Sequence, residues 1–110
     1  MNQKSIGEFD EIVLLIVAIL NGEAYSIAII DEIQERLNRK TSLGAIQTVL
    51  KRLEGKRLLK SQFGEATRAR GGKRKRLYEI TPDGQQILEQ TRTQRNSLWA
   101  AIPSVPFKLT

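Results

Sequence analysis

The sequence contains no cysteine and no histidine among its 110 residues. Disulfide bonds, Cys/His zinc sites, thiol nucleophiles and histidine general bases are therefore excluded. Aromatic residues make up only 5% of the chain, which argues against recognition of single strands by base stacking. There is also no paired-carboxylate or phosphate-loop motif. The composition therefore argues against an enzyme and predicts neither a cofactor nor a bound metal.

Long hydrophobic runs are missing as well. The longest one covers nine residues, Ile12 to Leu20, whereas a membrane-spanning helix needs about 20. The acidic residues that precede it, Glu8 to Glu11, differ from the positive start of a signal peptide. We therefore expect a soluble, cytoplasmic protein, and the length is that of one domain with a small core.

Positive charge is abundant and concentrated in one place. The net charge of +6 comes from 18 basic and 12 acidic residues. Six of the basic residues lie between Arg68 and Arg76, in the stretch "TRARGGKRKR", and without them the chain has 12 of each sign. A concentrated excess of this kind suggests an anionic partner. The adjacent Gly71 and Gly72 allow a tight turn and a close approach to phosphates.

The spacing of apolar residues predicts three helices in the first half of the chain. The first covers Glu8 to Leu20 and ends with Gly22 in the left-handed cap conformation. The second covers Tyr25 to Leu37, and the third begins after Ser42, a favourable N-cap. The third helix has an apolar stripe formed by Leu43, Ile46, Val49, Leu50 and Leu53. Its opposite face lacks acidic residues and carries Gly44, Gln47, Thr48 and Lys51.

The second half predicts a hairpin and one more helix. The stretches "LLKSQFG" and "RLYEIT" are rich in strand-forming residues, and the basic segment between them is the hairpin loop. We expect Phe63, with Tyr25 and Tyr78, in the core with an edge exposed. Thr81 as N-cap and Pro82 as first residue predict a helix to about Ile102, followed by an extended tail over residues 103–110.

The order of helix, helix, helix, hairpin and helix predicts a mainly α fold with a small β-hairpin, the winged helix-turn-helix. In that fold the third helix enters a DNA major groove. The candidate base-reading residues are Ser42, Gly44, Gln47, Thr48 and Lys51. The candidate phosphate-binding residues of the wing are Arg70, Gly71, Gly72, Lys73 and Arg74. The alternatives are an ordinary solvated helix face and a solvated basic loop.

Several segments resemble the PadR family of bacterial transcriptional regulators. They are "GEFDEIVLLIVAIL", "AYSIAIIDEI", "SLGAIQTVLKRLE" and "FGEATRARGGKRKRLYEITPDG", and the resemblance covers about residues 6 to 90. The last stretch is the most specific, because it joins a Gly-Gly wing to a Thr-Pro-Asp-Gly helix start.

The resemblance implies a dimer that binds promoter DNA as a ligand-responsive or stress-responsive repressor. Residues 1–80 would form the DNA-binding domain and residues 81–102 the dimerisation helix of the short subgroup, with the first helix beside it. Trp99, with Leu98 and Arg95, would lie at the dimer seam. There Trp99 would either pack between subunits or stack on a planar aromatic or cationic ligand.

Three positions depart from the pattern of the family. Ser26 stands where the family usually has Gly after the Tyr of the second helix. Gln47 stands where the family usually has Tyr in the third helix, so base preference cannot be transferred. Lys56-Arg57 follows Gly55 where the family usually has Lys-Gly. The third helix therefore either ends at Gly55 or is followed by Arg57 in a left-handed turn.

Two other functions fit the same sequence. An RNA-binding winged helix would use the same basic segment, and a protein-interaction module would direct its wing to an acidic partner. Binding to duplex DNA, compared with duplex and single-stranded RNA, separates the first from a DNA regulator. A tight protein complex with weak DNA binding would indicate the second.

Overall fold

The computed structural model describes residues 5–66 and 74–104. Four helices and one two-stranded antiparallel hairpin follow in the predicted order. They are α1 (Glu8–Leu20), α2 (Ser26–Leu37), α3 (Leu43–Gly55), β1 (Leu59–Ala66), β2 (Arg74–Ile80) and α4 (Pro82–Ala101). The predicted winged-helix architecture is therefore confirmed.

Most of the predicted helix ends agree with the structure to within one residue. Ser42 Oγ accepts a hydrogen bond from the backbone N–H of Ala45 at 3.1 Å, and the hydroxyl of Thr81 caps α4 in the same way. The end of α1 differs from the prediction, because Asn21 is the left-handed cap residue, with φ 38°. Gly22 follows with φ 97°, so two successive residues turn the chain.

The core forms around α1, which contacts α2, α3, α4 and β2. Its residues Val13, Leu14 and Val17 are at most 1% exposed, as expected for a helix that is apolar on most sides. The other helices, the hairpin and the connection between α3 and β1 contribute Ile29, Ile33, Ile46, Val49, Leu50, Leu53, Leu58, Leu59 and Ile87. Leu43, which the sequence placed in the stripe of α3, is instead 43% exposed at the first position of that helix.

A backbone bridge joins the hairpin to the connection between α1 and α2. The N–H of Tyr78 in β2 donates to the carbonyl of Ala24, between α1 and α2, at 2.8 Å. Both strands extend further into the basic loop than predicted, and Arg74 pairs with Ala66 beyond a bulge that follows Phe63. Phe63 lies just before this bulge, past the core, and is 54% exposed. Its predicted place in the core was wrong.

The end of α3 combines both alternatives that the sequence left open. The helix ends at Gly55, and Arg57 has a left-handed backbone with φ 62°. A non-glycine residue in this conformation costs about 1 kcal/mol or more. The Arg57 carbonyl accepts a hydrogen bond from the Thr81 hydroxyl at 2.8 Å. Because Thr81 also caps α4, this one side chain fixes the turn after α3 to the start of α4.

Only the first half of α4 packs on the core. Gly84 and Ile87 are its buried residues, and all residues from 92 to 101 are exposed. The radius of gyration is 17.0 Å, against about 13 Å for a compact chain of this length. The second half of α4 thus projects from the winged-helix body.

Gly84 allows the close contact at the start of α4. A Cβ atom at this position would lie 2.3 Å from the carbonyl oxygen of Leu58 and 2.8 Å from a side-chain carbon of Ile80. The first atom belongs to the backbone, so it cannot rotate away. Any larger residue would therefore push α4 off the hairpin.

We predict that Gly84→Ala lowers the free energy of unfolding by about 1–3 kcal/mol, the usual cost of overpacking. Gly44→Ala is the matched control, because a Cβ at Gly44 meets no atom within 4 Å. The control should leave stability unchanged or raise it by about 0.5 kcal/mol. Urea unfolding followed by circular dichroism measures both. Equal effects of the two substitutions would contradict this account.

Candidate nucleic-acid interface

The outer face of α3 carries four of the five residues that the sequence proposed for base reading. Gly44, Gln47, Thr48 and Lys51 are exposed and follow helical spacing along one side of α3. Ser42 is also exposed, but it is the N-cap residue that precedes the helix. Both hydroxyl groups among these residues form hydrogen bonds with the backbone of α3. Ser42 caps the helix, and Thr48 Oγ1 donates to the Gly44 carbonyl at 2.9 Å. Within the described residues, the Gln47 and Lys51 side chains form no hydrogen bond. These two side chains are therefore available to an external partner.

Glycines lie at both ends of this face. Gly44 and Gly55 are eleven residues apart, which places them on the same side of α3 as Gln47 and Lys51. A Cβ atom at either glycine would meet no atom within 4 Å, and neither residue has a positive φ. Neither the packing nor the backbone conformation of the described residues requires glycine here. Its effect is to leave the backbone open to close approach from outside.

One ion pair fixes α3 against α1. Arg52 Nη2 lies 2.6 Å from Asp10 Oδ1, and Arg52 Nε donates to Asp10 Oδ2 at 3.1 Å. Asp10 is only 6% exposed, so its carboxylate is largely removed from water. The hydrogen bond to Asp10, and secondly the charge of Asp10, raise the pKa of Arg52 above its ordinary value. The two-point contact restrains the orientation of the guanidinium as well as its distance.

A second polar group joins α3 to the stem of the hairpin. Ser61 in β1 donates its hydroxyl to Glu54 Oε2 at 2.6 Å and accepts a bond from Arg76 Nε at 2.9 Å. Arg76 also lies 3.5 Å from Glu54. Partial burial is the main cause that raises the pKa of the adjacent Tyr78 phenol, although Arg76 opposes it. Arg76 therefore belongs to the scaffold that holds the wing.

The basic residues at the start of β2 occupy both faces of the hairpin. Arg74 and Arg76 lie with their guanidinium carbons 5.7 and 5.3 Å from the centre of the Phe63 ring. Arg74 Nε also donates to the Gly64 carbonyl at 2.8 Å. Lys75 points to the other side, 4.2 Å from the centre of the Tyr25 ring. Alternation along a strand separates these charges, as expected.

Only one of the five predicted wing residues, Arg74, belongs to the described part of the chain. Arg70, Gly71, Gly72 and Lys73 lie outside the described residues. Arg74, predicted beside them in the loop, is the first residue of β2 and uses part of its hydrogen-bonding capacity within the hairpin.

The sequence also contains a charge separation that our reading of its total charge missed. Residues 5–37 have seven acidic residues and one basic residue, whereas residues 38–62 have seven basic and one acidic. The two segments cancel in the sum. The structure places the basic segment around α3, with Lys40 before the helix and Lys56 and Arg57 after it, all exposed. A running charge average along the sequence would have found these residues.

The residues predicted at the dimer seam lie along the contact between α1 and α4. Trp99 and Leu98 are 72% and 69% exposed. Trp99 lines a groove of about 450 Å³ together with Leu15 of α1 and Leu88 of α4, whereas Leu98 lines a neighbouring cavity. Arg95 borders both spaces, and its Nη2 lies 2.8 Å from Glu11 Oε1.

The described residues contain neither a candidate metal site nor a membrane-spanning helix. In the described part of the chain, no group of three or more acidic, cysteine or histidine side chains is arranged to hold a metal ion. None of the described helices has the length and apolar character needed to cross a membrane.

Four helices, a hairpin with a basic second strand, and a third helix whose Gly44, Gln47, Thr48 and Lys51 face carries no acidic residue form the arrangement of a winged-helix DNA-binding protein. The family model of the PadR-like transcriptional regulators matches residues 14–90, which is more than half of the chain. The chain belongs to this family, whose members are transcriptional regulators and not enzymes. No curated protein matches the chain.

Solved structures agree with this assignment. A PadR family transcription regulator from Clostridium difficile is 30% identical, with 83% of this chain and 93% of that chain covered and a TM-score of 0.66. A PadR-like transcription factor from Bacteroides fragilis is 23% identical, covers 86% and 85%, and has a TM-score of 0.71. A PadR-like regulator from Bacillus cereus is 17% identical, covers 86% of each chain, and has a TM-score of 0.70. The last two show the fold alone.

We predict that Ser61→Ala destabilises the protein by about 1 kcal/mol, because it removes the hydroxyl that joins Glu54 to Arg76. Ser97→Ala is the matched control, since the Ser97 hydroxyl only bonds the Gln94 carbonyl within α4. Thermal unfolding of the two variants should separate them. A loss no larger than that of the control would mean that the bridge adds nothing to stability.

Proposed function

We propose that this protein is a homodimeric, sequence-specific repressor that binds an operator in promoter DNA and is released by a small ligand or a stress signal. The main observation behind the proposal is the exposed, acid-free face of α3 next to the basic hairpin. A regulator of this kind acts where the chromosome lies, in the cytoplasm.

In this proposal α3 enters the major groove. Gln47 can pair with adenine through two hydrogen bonds, Lys51 can reach guanine or phosphate, and Thr48 can contact a base or a thymine methyl group. Gly44 and Gly55 let the DNA backbone approach the ends of the helix. Ser42 orders the first turn of α3 and so aligns these side chains.

The wing binds the phosphates next to the groove. Arg70, Lys73 and Arg74 supply the charge, and Gly71 and Gly72 the close backbone approach. Arg74 keeps N–H donors beyond the two that it gives to the carbonyls of Gly64 and Phe63, because a guanidinium has five. The contact of Arg74 with the Phe63 ring limits its freedom in advance, which reduces the entropy lost on binding.

The dimer forms through α4 with α1 beside it. The second half of α4 extends from the body with Leu98 and Trp99 exposed, and α1 exposes Leu15 and Ile19, at 43% and 47%. Apolar residues that are exposed together in this way are typical of an interface. Two-fold symmetry then requires a roughly palindromic operator.

The groove between α1 and α4 is the site that we propose for a releasing ligand. Its volume of about 450 Å³ is within the range of small-molecule sites. Trp99 offers a ring for a planar aromatic or cationic molecule to stack upon. Such a ligand would release DNA if it preferred a dimer whose two α3 helices have the wrong spacing.

We predict that Gln47→Ala and Lys73→Gln weaken DNA binding in different ways. Gln47→Ala should cost about 1–3 kcal/mol on a duplex selected from a random library, and little on a shuffled duplex. Lys73→Gln should weaken both duplexes and reduce the salt-dependence slope by about 1. Fluorescence anisotropy at several salt concentrations measures both.

Arg36→Gln is the control for this experiment, because it removes one positive charge from α2, where Arg36 pairs with Glu32 at 2.6 Å. It should change neither the affinity ratio of the two duplexes nor the slope by a comparable amount. Failure to select any duplex would contradict a sequence-specific regulator. Tighter binding to RNA than to DNA would favour the RNA-binding alternative.

We predict that Leu98→Asp converts the dimer to a monomer, because it places a charge in the apolar seam. Thr93→Asp puts the same charge on the opposite side of α4 and should leave the dimer intact. Sedimentation equilibrium of the wild type and both variants measures the association. A wild-type protein that stays monomeric at micromolar concentration would overturn the proposed dimer.

A further inference from the structure

The start of α1 makes three ion pairs to three different parts of the chain. Glu8 contacts Arg39 in the connection between α2 and α3 at 3.2 Å. Asp10 contacts Arg52 of α3 at 2.6 Å, and Glu11 contacts Arg95 of α4 at 2.8 Å. Since all three carboxylates lie within four consecutive residues, about one helical turn connects the DNA-reading helix to the projecting helix.

The Asp10–Arg52 pair restrains rotation of α3 about its own axis. Arg52 follows directly after Lys51, one of the proposed base-reading residues, and lies about 100° further around the helix axis. Its guanidinium is bound at two points by a carboxylate that is 8% exposed. Rotation of α3 about its own axis would break both hydrogen bonds. The pair therefore fixes the direction in which the Gln47 and Lys51 face points.

The pair on α4 is also partly protected from water. The Glu11 side chain is 15% exposed, whereas that of Arg95 is 55% exposed. Beyond this pair, α4 has no buried residue. The Glu11–Arg95 ion pair thus ties the projecting half of α4 to the body.

Asp10 lies in the first turn of α1, where the positive end of the helix dipole favours a carboxylate, but the dipole does not require that this carboxylate bind an arginine of another helix. Asp10 places a negative charge beside a helix that we propose to contact DNA, and it neutralises Arg52, a cation that could otherwise attract phosphate. The Glu32–Arg36 pair, equally short at 2.6 Å, joins residues of a single helix and fixes no element relative to another. The pairs of Asp10 and Glu11 differ from it because they cross between elements.

We infer that Asp10 and Glu11 are positioning residues for DNA recognition. Together with Arg52 and Arg95 they form a clamp that sets the orientation of α3 relative to α4. The inference rests on the proposed function, because the orientation matters only if α3 reads DNA. In a dimer joined by α4, the same clamp determines the distance and angle between the two α3 helices.

The experiment compares Asp10→Asn with the control Glu32→Gln, since each removes one negative charge from one ion pair. If charge were the only effect, both variants would bind all DNA more tightly. With the clamp, Asp10→Asn should lower the ratio of selected-duplex to shuffled-duplex affinity about three- to tenfold. Binding of Asp10→Asn to the shuffled duplex should stay the same or increase, and Glu32→Gln should keep the wild-type ratio.

Arg52→Lys provides an independent test that keeps the positive charge. Lysine cannot form the two-point contact with Asp10, so the clamp predicts the same loss of specificity. If Arg52 served only as a phosphate contact, lysine would largely replace it. Circular dichroism and the unfolding temperature establish whether each variant is folded at the assay temperature. If Asp10→Asn is not folded there, Arg52→Lys decides the test.

The contact with α4 is tested by charge exchange. Glu11→Arg and Arg95→Glu should each reduce affinity for a duplex with two half-sites more than for a duplex with one. The double variant, in which the charges are exchanged, should recover most of the loss. Recovery is specific to a direct pair, because two unrelated surface effects would add.

The outcomes separate the clamp from the proposed function. In one outcome the wild type prefers the selected duplex while Asp10→Asn and Arg52→Lys keep that preference in full. This result would overturn the clamp and leave the proposed function standing. A double variant no better than the single variants would overturn the part of the clamp that involves α4. A wild-type protein with no sequence preference would overturn the proposed function and the clamp with it.

Discussion

The burial of α1 is the constraint on which the rest of the structure depends. The helix is apolar on most sides, and α2, α3, α4 and the hairpin strand β2 all pack against it. Val13 and Leu14 of α1 are completely buried. Any arrangement in which these elements did not cover α1 would expose its apolar surface to water. The position of the exposed face of α3 is a consequence of how its buried face meets α1.

Polar contacts then refine an arrangement that the core has already determined in outline. Apolar packing is non-directional, so small rotations and shifts of the helices change its free energy little. The Asp10–Arg52 pair, the Ser61 bridge and the two roles of Thr81 act at the edges of the core, where directional bonds can fix an angle. A DNA-reading surface needs this precision more than the core does, because hydrogen bonds to bases tolerate little displacement.

Acidic and basic residues lie in different parts of the fold, and the basic residues lie around the helix that we propose to bind DNA. The acidic segment over residues 5–37 belongs mainly to α1 and α2, and the basic segment over residues 38–62 surrounds α3. A protein with this polarity is attracted to DNA mostly in the orientation that presents α3. The carboxylates at the start of α1 are the exception, since they lie close to α3 and are satisfied by arginines from other elements.

The sequence by itself determined the order and type of the elements, because helical spacing, the caps Ser42 and Thr81, and Pro82 are local signals that act within a few residues. It also indicated which face of α3 is polar. Only the tertiary structure decided the contacts between distant positions: the Asp10–Arg52 and Glu11–Arg95 pairs, the space that requires Gly84, and the exposure of Phe63. Asp10 and Arg52 are separated by 42 residues, and no periodicity links them. Such pairs exist because packing on α1 brings the elements together, and a single sequence carries no local signal of which side chains will then meet.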